Sequence, residues 1–349
     1  MIFPKSILII RTDRIGDVIL SLPLASVIKK HSPQTKVSFL VRNYTKPLIE
    51  KNNFIDETFT LIEETGKISL APNVAQLKNK FDACIIAYPT FKIALVLFLA
   101  GIKIRIGTGY RWYSFLFNKK VFDHRKFGEL HELEYNVRLL SQLGITKTIA
   151  EDNVVFGISP STEIVEKVKN DLKSFGITVT KPIAIVHPGS GGSSIDLPVH
   201  KMEEIIASLS KENVEIVITG SAEEKELCQS LIVNISGGTI INAAGKFDLE
   251  NLIALIYLSD VMIANSTGPI HIAAALGKNV IGFYPKIASC SAMRWGPYTK
   301  KKIIFSPSID CNKCTHQQCE RLNCMESIPV DDVINAAKKI LHEISMRIK

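Results

Sequence analysis

The sequence predicts an α/β protein of two doubly wound parallel-sheet domains in tandem. Three observations carry this: two successive series of short apolar runs, helix-like segments between the runs, and one polar, proline- and glycine-punctuated stretch between the series. The first series is SILII (6–10), KVSFLV (36–41), ETFTLI (57–62), FDACIIAY (81–88) and IRIGT (104–108), separated by segments such as DVILSLPLASVIKKH and HELEYNVRLLSQLG. The second is PIAIVH (182–187), VEIVIT (214–219), GTIINA (238–243), SDVMIA (259–264) and NVIGFY (279–284). Runs this short and apolar, bounded by turn residues, mark strands buried on both faces, as in parallel sheets whose crossover helices cover each face. Between the series, EDNVVFGISPST (151–162) supplies the punctuation, and Ser161 or Thr162 can cap a helix running to Gly176. The boundary is placed there, giving domains 1–156 and 157–349. Ligands of doubly wound sheets bind at the carboxyl ends of the strands, so two such domains are expected to face a common cleft.

Composition narrows the class. With 349 residues, 46% apolar and 22% charged, the chain is ordinary globular protein and not a disordered one. The longest apolar stretch, Ile93 to Ile104, is broken by Gly101 and Lys103 and falls short of the roughly 20 residues of a membrane span. The amino terminus meets Arg11 after a short apolar run, so neither signal peptide nor membrane helix is expected, and the protein is placed in the cytoplasm. The 42 Lys and Arg against 34 Asp and Glu favour acidic partners: phosphorylated sugars, anionic lipid surfaces or nucleic acid.

The turns after the strands hold the chemistry. After SILII comes RTDRIGDVILSLP, where Gly16 permits a turn and Asp17 opens the next helix. Its carboxylate can cap that helix or act as a general base, and Asp13 is a second carboxylate in the same turn. No G-x-G-x-x-G follows the strand, which argues against a dinucleotide site. In IVHPGSGGSSIDLP (185–198), Gly189, Ser190, Gly191, Gly192, Ser193 and Ser194 offer amides and hydroxyls for a phosphate cradle, or serve as a flexible connector. In NSTGPIHIAAALGK (265–278), a turn through Ser266, Thr267 and Gly268 precedes an alanine-rich helix opened by Pro269. Helix N–H groups there suit an anion. His271, one turn inside, is either a packed core histidine or a ligand contact. In VITGSAEEKEL, Glu223 and Glu224 stand where a carboxylate can accept ribose hydroxyl bonds, or simply favour a helix start.

Two further segments stand out. In RIGTGYRWYSFLFNKKVFDHRKFGELH (105–131), Arg105, Arg111, Lys119, Lys120, Arg125 and Lys126 are interleaved with Trp112, Phe115, Phe117, Phe122 and Phe127. Either a solvated face over core packing explains them, or Arg111, Lys120 and Arg125 bind a phosphorylated acceptor at a lipid surface. No nucleic-acid motif accompanies the charge, so nucleic acid is not expected. In CNKCTHQQCERLNC, Cys311, Cys314, Cys319 and Cys324 have the density of a structural zinc knuckle or remain reduced thiols.

Together, IIRTDRIGDVILSLP, HELEYNVRLLSQLGI, HPGSGG, VITGSAEE and ANSTGPIHIAAALG resemble the glycosyltransferase family 9 proteins, the lipopolysaccharide heptosyltransferase family, in order and spacing over almost the whole chain. The resemblance implies a GT-B fold of two Rossmann-like domains, with a nucleotide-diphosphate sugar in the second and an acidic glycolipid acceptor in the first, at the inner membrane face. It implies that Asp17, in R-x-x-x-I-G-D, is the catalytic base, that His271, ending G-P-x-H, serves the donor, and that catalysis needs no metal. Two positions depart from members that use ADP-heptose: Ile195 stands where they carry lysine, and Ser266 where they carry aspartate. The expected activity is inverting glycosyl transfer to a lipopolysaccharide core or similar glycan. A sugar-nucleotide epimerase or hydrolase, or a nucleotide-binding protein without catalysis, are the alternatives on the same scaffold.

Overall fold

The computed structural model describes residues 3–309 and 315–348. The chain divides into two compact units, Met1–Arg125 with Leu130–Ile158, and Lys126–Glu129 with Ser159–Lys349. The first contains β1 (Ser6–Ile10), α1 (Ile15–Ile19), α2 (Pro23–His31), β2 (Lys36–Val41), β3 (Glu57–Thr60), a hairpin of β4 (Glu63–Glu64) and β5 (Lys67–Ile68), α3 (Leu70–Leu77), β6 (Ala83–Ile86), α4 (Phe91–Leu99), β7 (Ile104–Thr108), β8 (Lys119–Val121) and α5 (Glu132–Arg138). Its sheet is parallel in the order β3-β2-β1-β6-β7-β8. Along β1 the side chains alternate: Leu8 and Ile10 join Cys84 and Ile86 under α3 and α4, while Ile7 and Ile9 are fully buried on the other face.

The second unit contains α6 (Thr162–Ser174), β9 (Ile183–His187), α7 (Val199–Leu209), β10 (Glu215–Ile218), α8 (Lys225–Ser230), β11 (Thr239–Asn242), α9 (Leu249–Leu258), β12 (Val261–Asn265), α10 (Gly268–Ala275), β13 (Asn279–Phe283), α11 (Ala292–Trp295), β14 (Lys302–Phe305), α12 (His316–Arg321) and α13 (Val330–Ile348). The sheet order, β11-β10-β9-β12-β13-β14, repeats the winding of the first unit. Ile216, Ile218, Val261 and Ile263 pack with Met202 and Ile206 of α7 and Val333 of α13. In each sheet the winding reverses beside the first strand, between β1 and β6 and between β9 and β12, and such a switch point is where doubly wound sheets open a crevice for ligand.

Several local expectations change. Each sheet gains an edge strand, β8 and β14, which the sequence pattern hides because KKV and KIIF are short and each opens on lysine, as edges commonly do. DVILSLPLASVIKKH is two helices, because Pro23 opens α2 and has no N–H to continue α1. HELEYNVRLLSQLG is α5 followed by a 3-10 turn at Leu139–Leu143. Ser161 caps α6, accepting from the Ile164 N–H. Gly16 does not make the turn: it lies inside α1 and has no positive φ. Among the described residues, no helix is long and apolar enough to cross a membrane.

Candidate functional site

At the end of β1 the ladder continues one residue, Arg11 N–H donating to the Leu40 carbonyl at 3.1 Å, which turns the Arg11 side chain into the protein. That side chain is 3% exposed. Its Nε donates to Asp13 Oδ1 at 2.7 Å, Nη2 to Asp17 Oδ1, and Nη1 to Glu132 Oε1 at 3.2 Å and Asn136 Oδ1 at 3.4 Å. Glu132 and Asn136 lie four residues apart, on one face of α5. They are also held by Arg125, whose Nη1 donates to Glu132 at 2.5 Å and to Asn136 at 3.1 Å. Asn136 Nδ2 reaches the Leu20 carbonyl at 3.1 Å and Ser21 Oγ at 3.2 Å, which fixes α5 to the end of α1. Three carboxylates thus share two guanidiniums in a nearly dry site.

This arrangement sets the chemistry of Asp17. Its carboxylate is not a cap, since α1 begins at Arg14 with no side-chain capping bond. Burial raises its pKa to about 6, with Asp13 and Glu132 adding to the rise and Arg11 opposing it. Burial also works against the charge of Arg11, but Asp17, Asp13 and Glu132 more than offset it and raise its pKa. A carboxylate poised near neutrality and oriented by a fixed cation has the properties of a general base.

The second constellation surrounds the switch point of the other sheet. From the end of β9, residues 188–197 loop back to α7, with Gly191 (φ +56°) and Gly192 (φ +73°) in consecutive left-handed conformations that L side chains rarely adopt. Ser193 N–H and Oγ both donate to the Ser190 carbonyl, and Ser193 Oγ also reaches the Ser266 carbonyl at 3.1 Å. Asn265, fully buried as the last residue of β12, clasps both ends of the loop: its Nδ2 donates to the Pro188 carbonyl and its Oδ1 accepts from Leu197 N–H at 2.9 Å. A Cβ at Gly189 would come within 1.7 Å of Glu224 Oε1, so a side chain there would displace the Glu224 carboxylate. Glu224 itself is fixed by the Ser221 N–H at 2.8 Å. His187 donates to or accepts from Thr219 Oγ1 at 2.9 Å, and burial pushes its pKa down to about 4 against the charge of Glu224, so the ring is neutral at physiological pH.

Thr267 precedes α10 without bonding its own helix, Gly268 is the first helical residue and has no positive φ, and His271 is buried in the helix. Near this turn, Ser194 Oγ and Asp196 Oδ1 have no hydrogen-bond partner among the described residues, and the fully buried Tyr284 hydroxyl faces Ser266. Burial raises the pKa of Asp196. The amino end of α10 and the amides and hydroxyls of the serine loop therefore lie together at the end of β12, with the Asp196 carboxyl beside them, and the N–H and O–H groups of that set suit an anionic group.

The remaining expected residues separate. Arg111 and Lys120 are exposed, whereas Arg125 is half-buried and pairs with Glu132 and Asn136 in the Asp17 network. Arg105 donates to the Leu116 and Ile102 carbonyls, and Phe117 is core, so both belong to the fold. Cys311 and Cys314 lie outside the described residues; Cys319 and Cys324 are buried in one cluster with Cys290. Among the described residues, no group of three or more His, Cys, Asp or Glu is placed to hold a metal ion. Sequence reasoning passed over Arg11, Glu132, Asn136, Asn265 and Tyr284. Glu132 and Asn136 carried a signal in their spacing, and Arg11 in being a charge set directly after a wholly apolar strand.

Comparison with known proteins places these features in context. Residues 74–325 match the model of glycosyltransferase family 9 (heptosyltransferase). A glycosyltransferase of Haemophilus influenzae is 29% identical over 318 residues, covering 87% of this chain and 89% of its own. The lipopolysaccharide core heptosyltransferase OpsX of the same organism is 27% identical over 360 aligned positions, covering 97% of each. The structure of E. coli ADP-heptose lipopolysaccharide heptosyltransferase II superposes with a TM-score of 0.79 at 21% identity, over 97% of this chain and 99% of that one, and shares its GT-B fold of two Rossmann-like units.

Proposed function

Because the chain belongs to glycosyltransferase family 9, the heptosyltransferase family, and is a glycosyltransferase, we propose that it transfers heptose from a nucleotide-diphosphate sugar to a lipopolysaccharide-type core, with inversion, on the cytoplasmic side of the membrane. The observation that carries the mechanism is Asp17: a buried carboxylate with its pKa raised to about 6, gripped by Arg11 at the switch point of the first sheet. Ionised at neutral pH, it takes the proton of an acceptor hydroxyl as that oxygen attacks the anomeric carbon. The glycosidic bond to the diphosphate breaks, and the pair of electrons leaves with the phosphate oxygen. In the second unit, the amino end of α10 with Ser266, Thr267 and Gly268, His271, and the Gly189, Ser190, Gly191 and Ser193 loop receive that developing charge, while Glu224 accepts ribose hydroxyl bonds. The relatives named for ADP-heptose make it the first donor to try.

The test is product analysis with a panel of nucleotide sugars and a heptose-deficient core acceptor. Heptose on the acceptor with inverted anomeric configuration is the expected result. An altered or hydrolysed sugar nucleotide without transfer, or no turnover of any donor, would overturn the reading.

A further inference from the structure

Between Asp82 and Asp123 the chain has no acidic residue in forty positions, yet it has Lys92, Lys103, Arg105, Arg111, Lys119 and Lys120. Its central strand β6 is buried, and α4 and the turn after β7 carry its exposed apolar side chains. α4 buries Ile93, Ala94, Val96 and Leu97 against the sheet and turns Phe98 and Leu99 outward, 48% and 46% exposed. The turn between β7 and β8 packs on the start of α4: the Tyr113 hydroxyl donates to the Pro89 carbonyl at 2.7 Å, and the Trp112 and Phe91 rings stack at 4.8 Å between centroids. Trp112 and Phe115 project from that turn, 73% and 68% exposed. Lys92 in α4, Arg111 in the turn, Lys103 just before β7 and Lys120 in β8 are exposed as well.

We propose that this face, formed by α4 and the Tyr110–Leu116 turn, docks the enzyme onto the headgroup layer of an anionic phospholipid bilayer. Large apolar and aromatic side chains held in water are unfavourable, whereas at a membrane interface Trp, Phe and Leu enter the boundary between headgroups and acyl chains. Charge complementarity selects the occupant. A segment with six cations and no acid repels cationic partners and is drawn to an anionic leaflet, where each lysine or arginine near the surface strengthens binding by about fivefold. The inference goes beyond the transfer reaction, since bilayer binding by this face does not depend on which sugar moves.

Trp112 makes the test direct, because Trp295 is the other of the two tryptophans and Trp295→Phe leaves Trp112 as the sole emitter. With phosphatidylglycerol-rich vesicles, its emission should shift to the blue and be quenched by lipids brominated in the acyl chain, less with phosphatidylcholine alone and less at high salt. Wild-type protein should co-float with the same vesicles, and Trp112→Ala with Phe115→Ala should weaken that partition at least about tenfold without lowering the unfolding temperature. Unchanged Trp112 emission together with flotation insensitive to the double substitution would overturn the proposal. So would a concentration-dependent dimer, abolished by the double substitution, in a protein that does not bind vesicles, because the face would then cover a second copy.

Discussion

The segment after β1 and the segment after β9 hold the same place in two sheets of the same strand order, yet they are made of opposite materials. The first packs Asp13, Asp17 and Glu132 around Arg11 and Arg125. The second is mostly glycine, serine and backbone amide, with a neutral His187, the Asp196 carboxyl accepting from Ser190 N–H, and no lysine or arginine in these hydrogen bonds. Under the proposed reaction, the difference follows from the task each would have. A base that picks up a proton changes its own charge, so its pKa has to be set by fixed neighbours. A diphosphate arrives already charged, and a dipole with several N–H and O–H donors can hold it without a formal counter-charge.

The largest expected effect breaks the charged half. Arg11→Met leaves three carboxylates with one guanidinium in a buried site and should cost about 3 to 5 kcal/mol of stability, read by urea unfolding. Ser193→Ala, at the equivalent loop of the second unit, should cost about 1 kcal/mol, the value of an ordinary hydrogen bond. Equal losses would mean that the two loops are not built on different principles. Next in size, Asp17→Asn should lower kcat about 100-fold while calorimetric affinity for ADP stays within about twofold. Turnover near wild type would move the base to Asp13.

How much of this was legible depends on where burial hides a residue's partner. The central strands were readable because SILII and VMIA are short apolar runs bounded by turn residues, the pattern of strands buried on both faces. Asp17 was readable as a candidate, but its choice between capping and catalysis was not, because Arg11, six residues away, turns inward only in the fold, and Glu132 is brought to that site by tertiary folding from more than a hundred residues away. Arg125 stands in sequence as one more cation of a basic segment, and in space it is paired with Glu132 and Asn136, seven and eleven residues on. Asn265 looked like the end of a strand and proved to be the clasp of the serine loop.

Smaller effects sharpen the neutral half. Thr267→Ala should weaken ADP binding by about 1 to 2 kcal/mol, one lost hydrogen bond to an anion, in calorimetric titration. Gly268→Val should weaken it further. Because Gly268 has helical backbone, the substitution tests close approach of the diphosphate and not a backbone conformation. Unchanged affinity in both variants would place the diphosphate away from α10.

The pH profile of kcat/KM addresses the base itself. With the Asp17 pKa raised to about 6, the carboxylate is ionised and competent above that pH and protonated below it. The rate should therefore be level from pH 7 to 8 and fall about tenfold per unit below pH 6. Loss of this acidic limb in the residual activity of Asp17→Asn is the predicted result. A limb that persists unchanged in that variant, or a wild-type profile flat down to pH 5, would contradict the assignment of Asp17 as the base.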